Sequence, residues 1–301
     1  MAEIIVDSIV NALAAAVAEA TGQPFRLRAL VPVGGGCINR GYRLAGEGTD
    51  YFVKLNRAGS VAMFEAEADG LRELAATGAV AVPIPVCCGR VGEHAYLAME
   101  WLELSAPGAV AEQRLGRQLA ALHGIRRPRF GWHRDNTIGT TPQPNRPCGD
   151  WVAFWADRRL GHQLELAARN GYGGRLQQDG EALRLGLAGL FRGYLPMPVL
   201  LHGDLWGGNW GQDGKGQPVI FDPACYWGDR EADLAMTELF GGFGAAFHDA
   251  YREVLPLDAG YGVRKYLYNL YHILNHLNLF GAGYLAQARS LLGRLLAELE
   301  A

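Results

Sequence analysis

Two acidic turns constrain this chain more than any other feature. The first lies in Leu201-His202-Gly203-Asp204-Leu205-Trp206-Gly207-Gly208-Asn209, where an Asn follows an Asp after five positions. The second closes the short apolar run Val219-Ile220-Phe221-Asp222-Pro223. Val199-Leu200-Leu201 leads into the first turn and Pro218 to Phe221 into the second, so each reads as the end of a short buried strand. The residue types are those that phosphoryl transfer requires. One carboxylate orients a hydroxyl and takes its proton, while a second carboxylate and an amide oxygen hold Mg²⁺ against phosphates. A His-Gly-Asp triplet alone can be an ordinary turn; the Asn spacing and the second Asp make the pattern specific. His202 reads as a packing and hydrogen-bonding residue without chemistry of its own.

The first hundred residues read as β-rich. Phe25, Leu27, Ala29 and Val31 alternate in one strand, and Gly34-Gly35-Gly36 interrupts it. A second strand is predicted over Gly41 to Leu44, and a third over Tyr51-Phe52-Val53-Lys54-Leu55 after a turn at Gly46 to Asp50. Alternation puts Lys54 on the face of Phe52, opposite Tyr51, Val53 and Leu55. A solvated strand lysine is the plain alternative, but its place after a glycine-loop hairpin favours pairing with ATP phosphates. A helix over Ser60 to Ala76 offers Glu65 or Glu67 as its carboxylate partner; Glu67 is preferred, four residues before Leu71 on the inward face. Backbone N–H groups of Gly35 and Gly36 could cover the phosphates, although the loop does not match G-x-G-x-x-G and could be a simple turn. Strands follow over Ile84 to Cys88 and His94 to Glu100.

Beyond Trp101 the pattern turns helical. Leu115, Leu119 and Leu122 outline one helix, and a Pro- and Gly-rich loop runs from Arg126 to Asp150. Helices are predicted over 151–169, 181–194, 231–240, 243–254, 263–280 and 285–299. The fold class is therefore α+β in two lobes, and because the His202, Asp204 and Asn209 spacing and the strand-borne Asp222 resemble the protein-kinase catalytic loop, a protein-kinase-like two-lobed fold is expected. A small β-rich N-terminal lobe spans 1–101 and a larger helical lobe 102–301, with a hinge at Glu100 to Glu103 and a ligand cleft between the lobes. At the hinge, backbone groups of Glu100, Trp101 and Leu102 could hold adenine. Trp206, beside Asp204, could stack on the apolar face of a sugar; Trp151 and Trp155, at helical spacing, read as core.

Bulk properties exclude several classes. Basic residues number 28 against 31 acidic, without a basic run, so neither nucleic acid nor an anionic membrane is an expected partner. No apolar stretch reaches the roughly 20 residues needed to span a bilayer. Glu3 and Asp7 stand where a secretory leader would be cationic, and Ile5 to Ala20 reads as a helix instead. Five cysteines without paired spacing argue against a disulfide scaffold and for a reducing cytoplasm.

The chain resembles the fructosamine kinase (ketosamine-3-kinase) family of the aminoglycoside-phosphotransferase-like superfamily, over nearly its whole length. The resemblance is carried by Gly35-Gly36-Cys37-Ile38, Phe52-Val53-Lys54-Leu55-Asn56, Met63-Phe64-Glu65-Ala66-Glu67-Ala68, Phe130-Gly131-Trp132, Pro142-Gln143-Pro144-Asn145, the His-Gly-Asp-Leu-Trp phrase at 202–206, Asp222-Pro223-Ala224, Tyr226-Trp227-Gly228-Asp229 and Phe240-Gly241-Gly242-Phe243. It implies ATP- and Mg²⁺-dependent phosphorylation of the 3-hydroxyl of ketoamine sugars on small amines or glycated proteins, followed by loss of the adduct. It implies Asp204 as proton acceptor, Asn209 and Asp222 as Mg²⁺ ligands, Lys54 on the phosphates, Glu100 to Leu102 at adenine and Trp206 beside the sugar. Asp233 fits the family pattern as a brace for the catalytic turn. At Cys37 it implies redox control, which for this chain would be an intermolecular disulfide; monomer and homodimer both stay open. Two rivals remain. One is a kinase for an aminoglycoside, choline or similar acceptor, against which Trp206 and the Pro142 to Asn145 loop weigh. The other is an inactive ATP-binding, redox-sensing module, against which the intact Lys54, Asp204, Asn209 and Asp222 set weighs.

Overall fold

Alternating apolar residues in the first hundred positions build one antiparallel sheet. The computed structural model describes residues 2–34 and 38–300. In chain order the first elements are α1 (Ala2–Thr21), β1 (Leu27–Val33), β2 (Arg40–Gly46), β3 (Asp50–Arg57), α2 (Val61–Ala76), β4 (Pro85–Val91) and β5 (His94–Glu100). They are followed by α3 (Ala109–Leu122), the hairpin β6 (Asn136–Ile138) and β7 (Thr141–Gln143), α4 (Trp151–Trp155), α5 (His162–Arg169) and α6 (Arg175–Gly186). Then come β8 (Val199–Leu201), β9 (Trp210–Gln212), β10 (Pro218–Ile220), β11 (Tyr226–Gly228), α7 (Glu231–Leu239), α8 (Ala245–Val254), α9 (Tyr261–Phe280) and α10 (Leu285–Glu300). The expected α+β class is present, with a β-rich first part and a helical second part.

The chain forms two compact units. The first holds Met1–Gly108 together with Trp210–Asp222, and the second holds Ala109–Asn209 and Pro223–Ala301. The division is not a single cut in sequence, because the hairpin β9–β10 returns to the first unit. There Ile220 N–H donates to Ala81 O at 3.0 Å, and Ser105 and Gln212 exchange backbone bonds of 2.9 and 3.1 Å.

In the first unit the strand order is β1-β2-β3-β5-β4, antiparallel throughout. One face packs Leu44, Val53, Leu55, Tyr96 and Ala98 with Leu13 and Val17 of α1. Period-2 alternation therefore sends Lys54 to the other face. Phe64, Ala66, Ala68, Gly70, Leu71 and Leu74 are the buried positions of α2.

The second unit is built around aromatic side chains. Trp151 and Trp155, read as core from their spacing, are 3% and 1% exposed. Trp155 meets Tyr268 edge-on at 4.8 Å, and Trp151 Nε1 donates to the Tyr268 hydroxyl at 3.1 Å. Two of its buried charged groups are well partnered: Arg264 grips Glu231 with bonds of 2.7 and 2.9 Å, and Asp229 accepts from Tyr268 at 2.5 Å and Tyr194 at 2.8 Å.

Two predicted features differ from the structure. The long loop from Arg126 to Asp150 contains the β6–β7 hairpin, whose strands of three residues are too short to show a period. The helix predicted over 151–169 is interrupted by a π-helical turn at Ala156–Gly161, a change of backbone pitch that side-chain periodicity does not report. No helix among the described residues is long and apolar enough to cross a membrane.

His272 of α9 is 5% exposed, and burial pushes its imidazole pKa from 6.5 down to about 3. The unfolded chain therefore takes a proton at pH values where the folded chain does not. Stability should fall with pH below 6.5, by up to about 1.4 kcal/mol per pH unit from this group. His272→Asn should flatten that part of the stability–pH curve in urea melts; an unchanged slope would place the acid loss elsewhere.

Candidate active site

In the first unit the sheet delivers one buried cation to two carboxylates. Lys54 of β3 is 5% exposed, and its Nζ lies 2.5 Å from Glu67 Oε1 and 2.5 Å from Asp222 Oδ1. Of the two helix acids considered, Glu67 reaches the lysine while Glu65 lies on the exposed face of α2. Burial works against the ammonium, but the charges of Asp222 and Glu67 outweigh it and hold the Lys54 pKa above its ordinary value. Burial pushes the Glu67 pKa up, Lys54 opposes this, and the neighbouring Asp222 adds to the rise. One ammonium is thus shared by two acids, one buried and one whose side chain is 39% exposed. The more exposed acid is the one suited to exchange its ammonium partner for a metal cation.

Asp222 also carries a backbone feature. Its φ of 58° makes it the non-glycine residue with left-handed backbone among the described residues. Such a conformation disfavours a Cβ and points to a shape enforced by its surroundings.

At the proposed hinge, Glu100 exchanges backbone and side-chain bonds with Ile84, at 2.9 Å from its own N–H and 3.0 Å to its Oε1. The Trp101 ring lies 6.4 Å from Phe52, the residue that shares the Lys54 face of β3, and 4.9 Å from the Arg43 guanidinium. Its indole N–H is buried without a partner, a donor left over for an added acceptor. Leu102 is half-buried. Gly35, Gly36 and Cys37 lie outside the described residues.

In the second unit β8 and β11 pair antiparallel, Leu201 against Tyr226, and carry the catalytic turn off the end of β8. Asp233 of α7 pins it. Its carboxylate accepts from the N–H groups of His202 and Gly203, both at 2.8 Å, and lies 3.3 Å from His123 Nε2. Burial alone would raise the Asp233 pKa; the His123 bond and charge, with help from His202 and Gly203, hold it below the ordinary carboxylate range. The brace expected at Asp233 is what its contacts describe. Gly203 has φ 82°, and a Cβ there would come within 2.1 Å of Ala224 O, so only glycine fits.

The turn then presents its polar groups together. Asn209 Nδ2 donates to Asp204 O at 2.9 Å and approaches Asp204 Oδ2 at 3.3 Å. With its NH₂ spent on Asp204, the amide oxygen is left to accept another ligand. Trp206 is 39% exposed, and its ring lies over Gly208, where a Cβ would come within 2.2 Å of it. His202 is fully buried, in keeping with a packing role.

Each taken by itself, the carboxylate of Asp222 and the amide oxygen of Asn209 are the kind of oxygen donor that Mg²⁺ prefers. No cluster of three or more His, Cys, Asp or Glu side chains is poised around a common point among the described residues. Gln143, Asn145 and Arg159 were missed as internal supports. The Pro142 to Asn145 loop stood out in the sequence, but Gln143 and Asn145 are 1% and 0% exposed and bond inward rather than to an acceptor.

Residues 9–298 match the sequence profile of the fructosamine kinase family. A probable ketoamine kinase of Synechocystis is 49% identical over 94% of this chain and 96% of its own. A chloroplastic protein-ribulosamine 3-kinase of Arabidopsis thaliana is 44% identical over 93% of this chain and 86% of its own. Among solved structures, a putative fructosamine-3-kinase from Haemophilus somnus superposes with a TM-score of 0.89 at 29% identity, covering 97% of this chain and 99% of that one. An aminoglycoside phosphotransferase superposes with a TM-score of 0.62 at 16% identity, covering 95% of this chain and 98% of its own, a likeness of fold.

Lys54→Met should lower stability by about 3 kcal/mol at neutral pH, because the buried Glu67 carboxylate loses its counter-charge. The deficit should shrink toward acid pH as Glu67 takes a proton. Adding Glu67→Leu should recover most of the stability and none of the turnover. A single variant as stable as wild type across the pH range would show that the pair is not charged in the fold.

Proposed function

Since this chain belongs to the fructosamine kinase family, and is thus an ATP-dependent phosphotransferase, we propose that it phosphorylates the 3-hydroxyl of ketoamine sugars carried by small amines or glycated proteins. The observation that carries the chemistry is the buried Lys54 held by Glu67 and Asp222. The acceptor class is supported by the ketoamine and ribulosamine kinases it resembles.

Each residue has a distinct task in this reading. Lys54, oriented by Glu67, takes the phosphates. Asp222 and Asn209 would hold Mg²⁺, which neutralises charge on the phosphates when bound. Asp204 accepts the proton of the sugar 3-hydroxyl as its oxygen bonds to the γ-phosphorus, and ADP departs. Trp206 offers its exposed face to the sugar ring. Glu100, Trp101 and Leu102 take the adenine, and Gly35 and Gly36 cover the phosphates. A phosphate on the carbon next to the ketone leaves far more readily than hydroxide, so the adduct then breaks down and frees the amine. The cysteine count supports a reducing cytoplasm as the compartment, although the Arabidopsis relative is named chloroplastic.

Coupled ADP release should detect turnover with Mg-ATP and ribulosyl-, erythrulosyl- or fructosyl-lysine, and none with kanamycin or choline. Turnover on a control alone would move the acceptor to that class. Asp204→Asn should fold and bind nucleotide while kcat falls about 100- to 10,000-fold; wild-type turnover would remove Asp204 from the mechanism.

A further inference from the structure

Arg159, in the π-helical turn, is 0% exposed, and among the described residues no carboxylate is in ion-pair contact with it. Its guanidinium lies 4.1 Å from the Tyr226 ring and 4.7 Å from that of Phe154. Nη1 donates to Pro144 O and Nη2 to Asn145 Oδ1, each at 2.7 Å, and Nε has no partner. A buried cation without a counter-charge is costly to keep, and π-turns recur at functional sites.

What the arginine does follows from its being donor-only. Asn145 must turn its oxygen to Arg159 and its NH₂ away, onto Asn136 Oδ1 at 2.7 Å. With its oxygen occupied, Asn136 turns its NH₂ to Cys225 O at 2.8 Å. Gln143 donates to the same Asn136 oxygen at 2.8 Å and to Ala224 O at 3.1 Å, while its own oxygen accepts from Tyr271 at 2.7 Å. The direction of every amide is thereby set from the arginine outward.

The relay ends on the backbone that follows Asp222. Ala224 is held on both sides: its N–H donates to His202 O at 2.8 Å, and its carbonyl receives Gln143. Asp222, two residues before, keeps a left-handed backbone that costs about 1–2 kcal/mol and persists only where neighbours enforce it. We propose that Arg159, Asn145, Asn136 and Gln143 form a one-way donor relay that fixes the backbone at Ala224–Cys225 and so aims the Asp222 carboxylate at the divalent cation of the nucleotide. These are positioning residues for phosphoryl transfer. The proposal rests on the metal role of Asp222 and not on the identity of the acceptor.

Asn145→Asp separates positioning from stability. A carboxylate there still accepts from Arg159 but cannot donate to Asn136. Gln143→Leu cuts the relay at its far end, and Arg159→Lys keeps the charge while losing the fork. The full-length proteins would be compared by thermal melting, by electron paramagnetic resonance of Mn²⁺ binding to the ADP complex, and by kinetics. Asn145→Asp should melt within a few degrees of wild type. In all three variants Mn²⁺ affinity and kcat should fall about 10- to 100-fold, with acceptor KM changed less than about twofold. Wild-type Mn²⁺ affinity in folded Asn145→Asp or Gln143→Leu would overturn the relay, as would a loss of kcat matching only the loss of folded protein. Mn²⁺ binding needs no acceptor, so failure of the ketoamine reading would leave this test intact.

Discussion

The Asp233 carboxylate is the fixed point of the catalytic half of the molecule. It is 1% exposed, yet accepts two backbone N–H groups and faces an imidazole. Those N–H groups belong to His202 and Gly203, at the point where β8 ends and the chain turns sharply. Without the carboxylate they would be buried donors with no ladder partner, at a cost of about 1–3 kcal/mol each. The turn at Gly203 then allows the close approach of Ala224, and Asp204 emerges on a backbone that has no freedom to swing. A helix acid thus fixes the backbone on which Asp204 follows.

The sheet unit handles charge differently. Instead of satisfying backbone groups, it buries one ammonium and divides it between two carboxylates of unequal exposure. Glu67 is committed by burial, whereas Asp222 is reachable. Such inequality ties one acid to the lysine by burial and leaves the other open to solvent. The buried polar network of the second unit instead holds Ala224 and Cys225 through their carbonyls rather than through charges.

Much of this could be read along the chain. The spacing of Asp204 and Asn209 and the strand-borne Asp222 marked the catalytic turns. Alternation around Lys54 gave its face, and helical spacing chose Glu67 over Glu65. The face of Lys54 and the choice of Glu67 agree with the observed contacts because each rests on a period of two or 3.6 residues that local geometry imposes. The β6–β7 hairpin and the π-turn failed the same test, one too short for a period and the other a departure from it. The Pro142 to Asn145 loop was conspicuous, but composition does not say which way a side chain points, and the inward bonds of Gln143 and Asn145 had to come from the structure.

The sequence by itself determined the chemistry this chain can perform, because phosphoryl transfer needs particular groups at particular separations and those groups are present. It also determined the order of a β-rich part and a helical part, since backbone propensity and side-chain period are local. Only the tertiary structure decided that Asp222 shares Lys54 with Glu67, how Asp233 holds the turn at His202 and Gly203, and that a buried arginine without a counter-charge meets the amides of the Pro142 to Asn145 loop. Those outcomes join residues as far apart as 168 positions, and hydrogen-bond direction between such partners is set by donors and acceptors that meet only when the chain has folded.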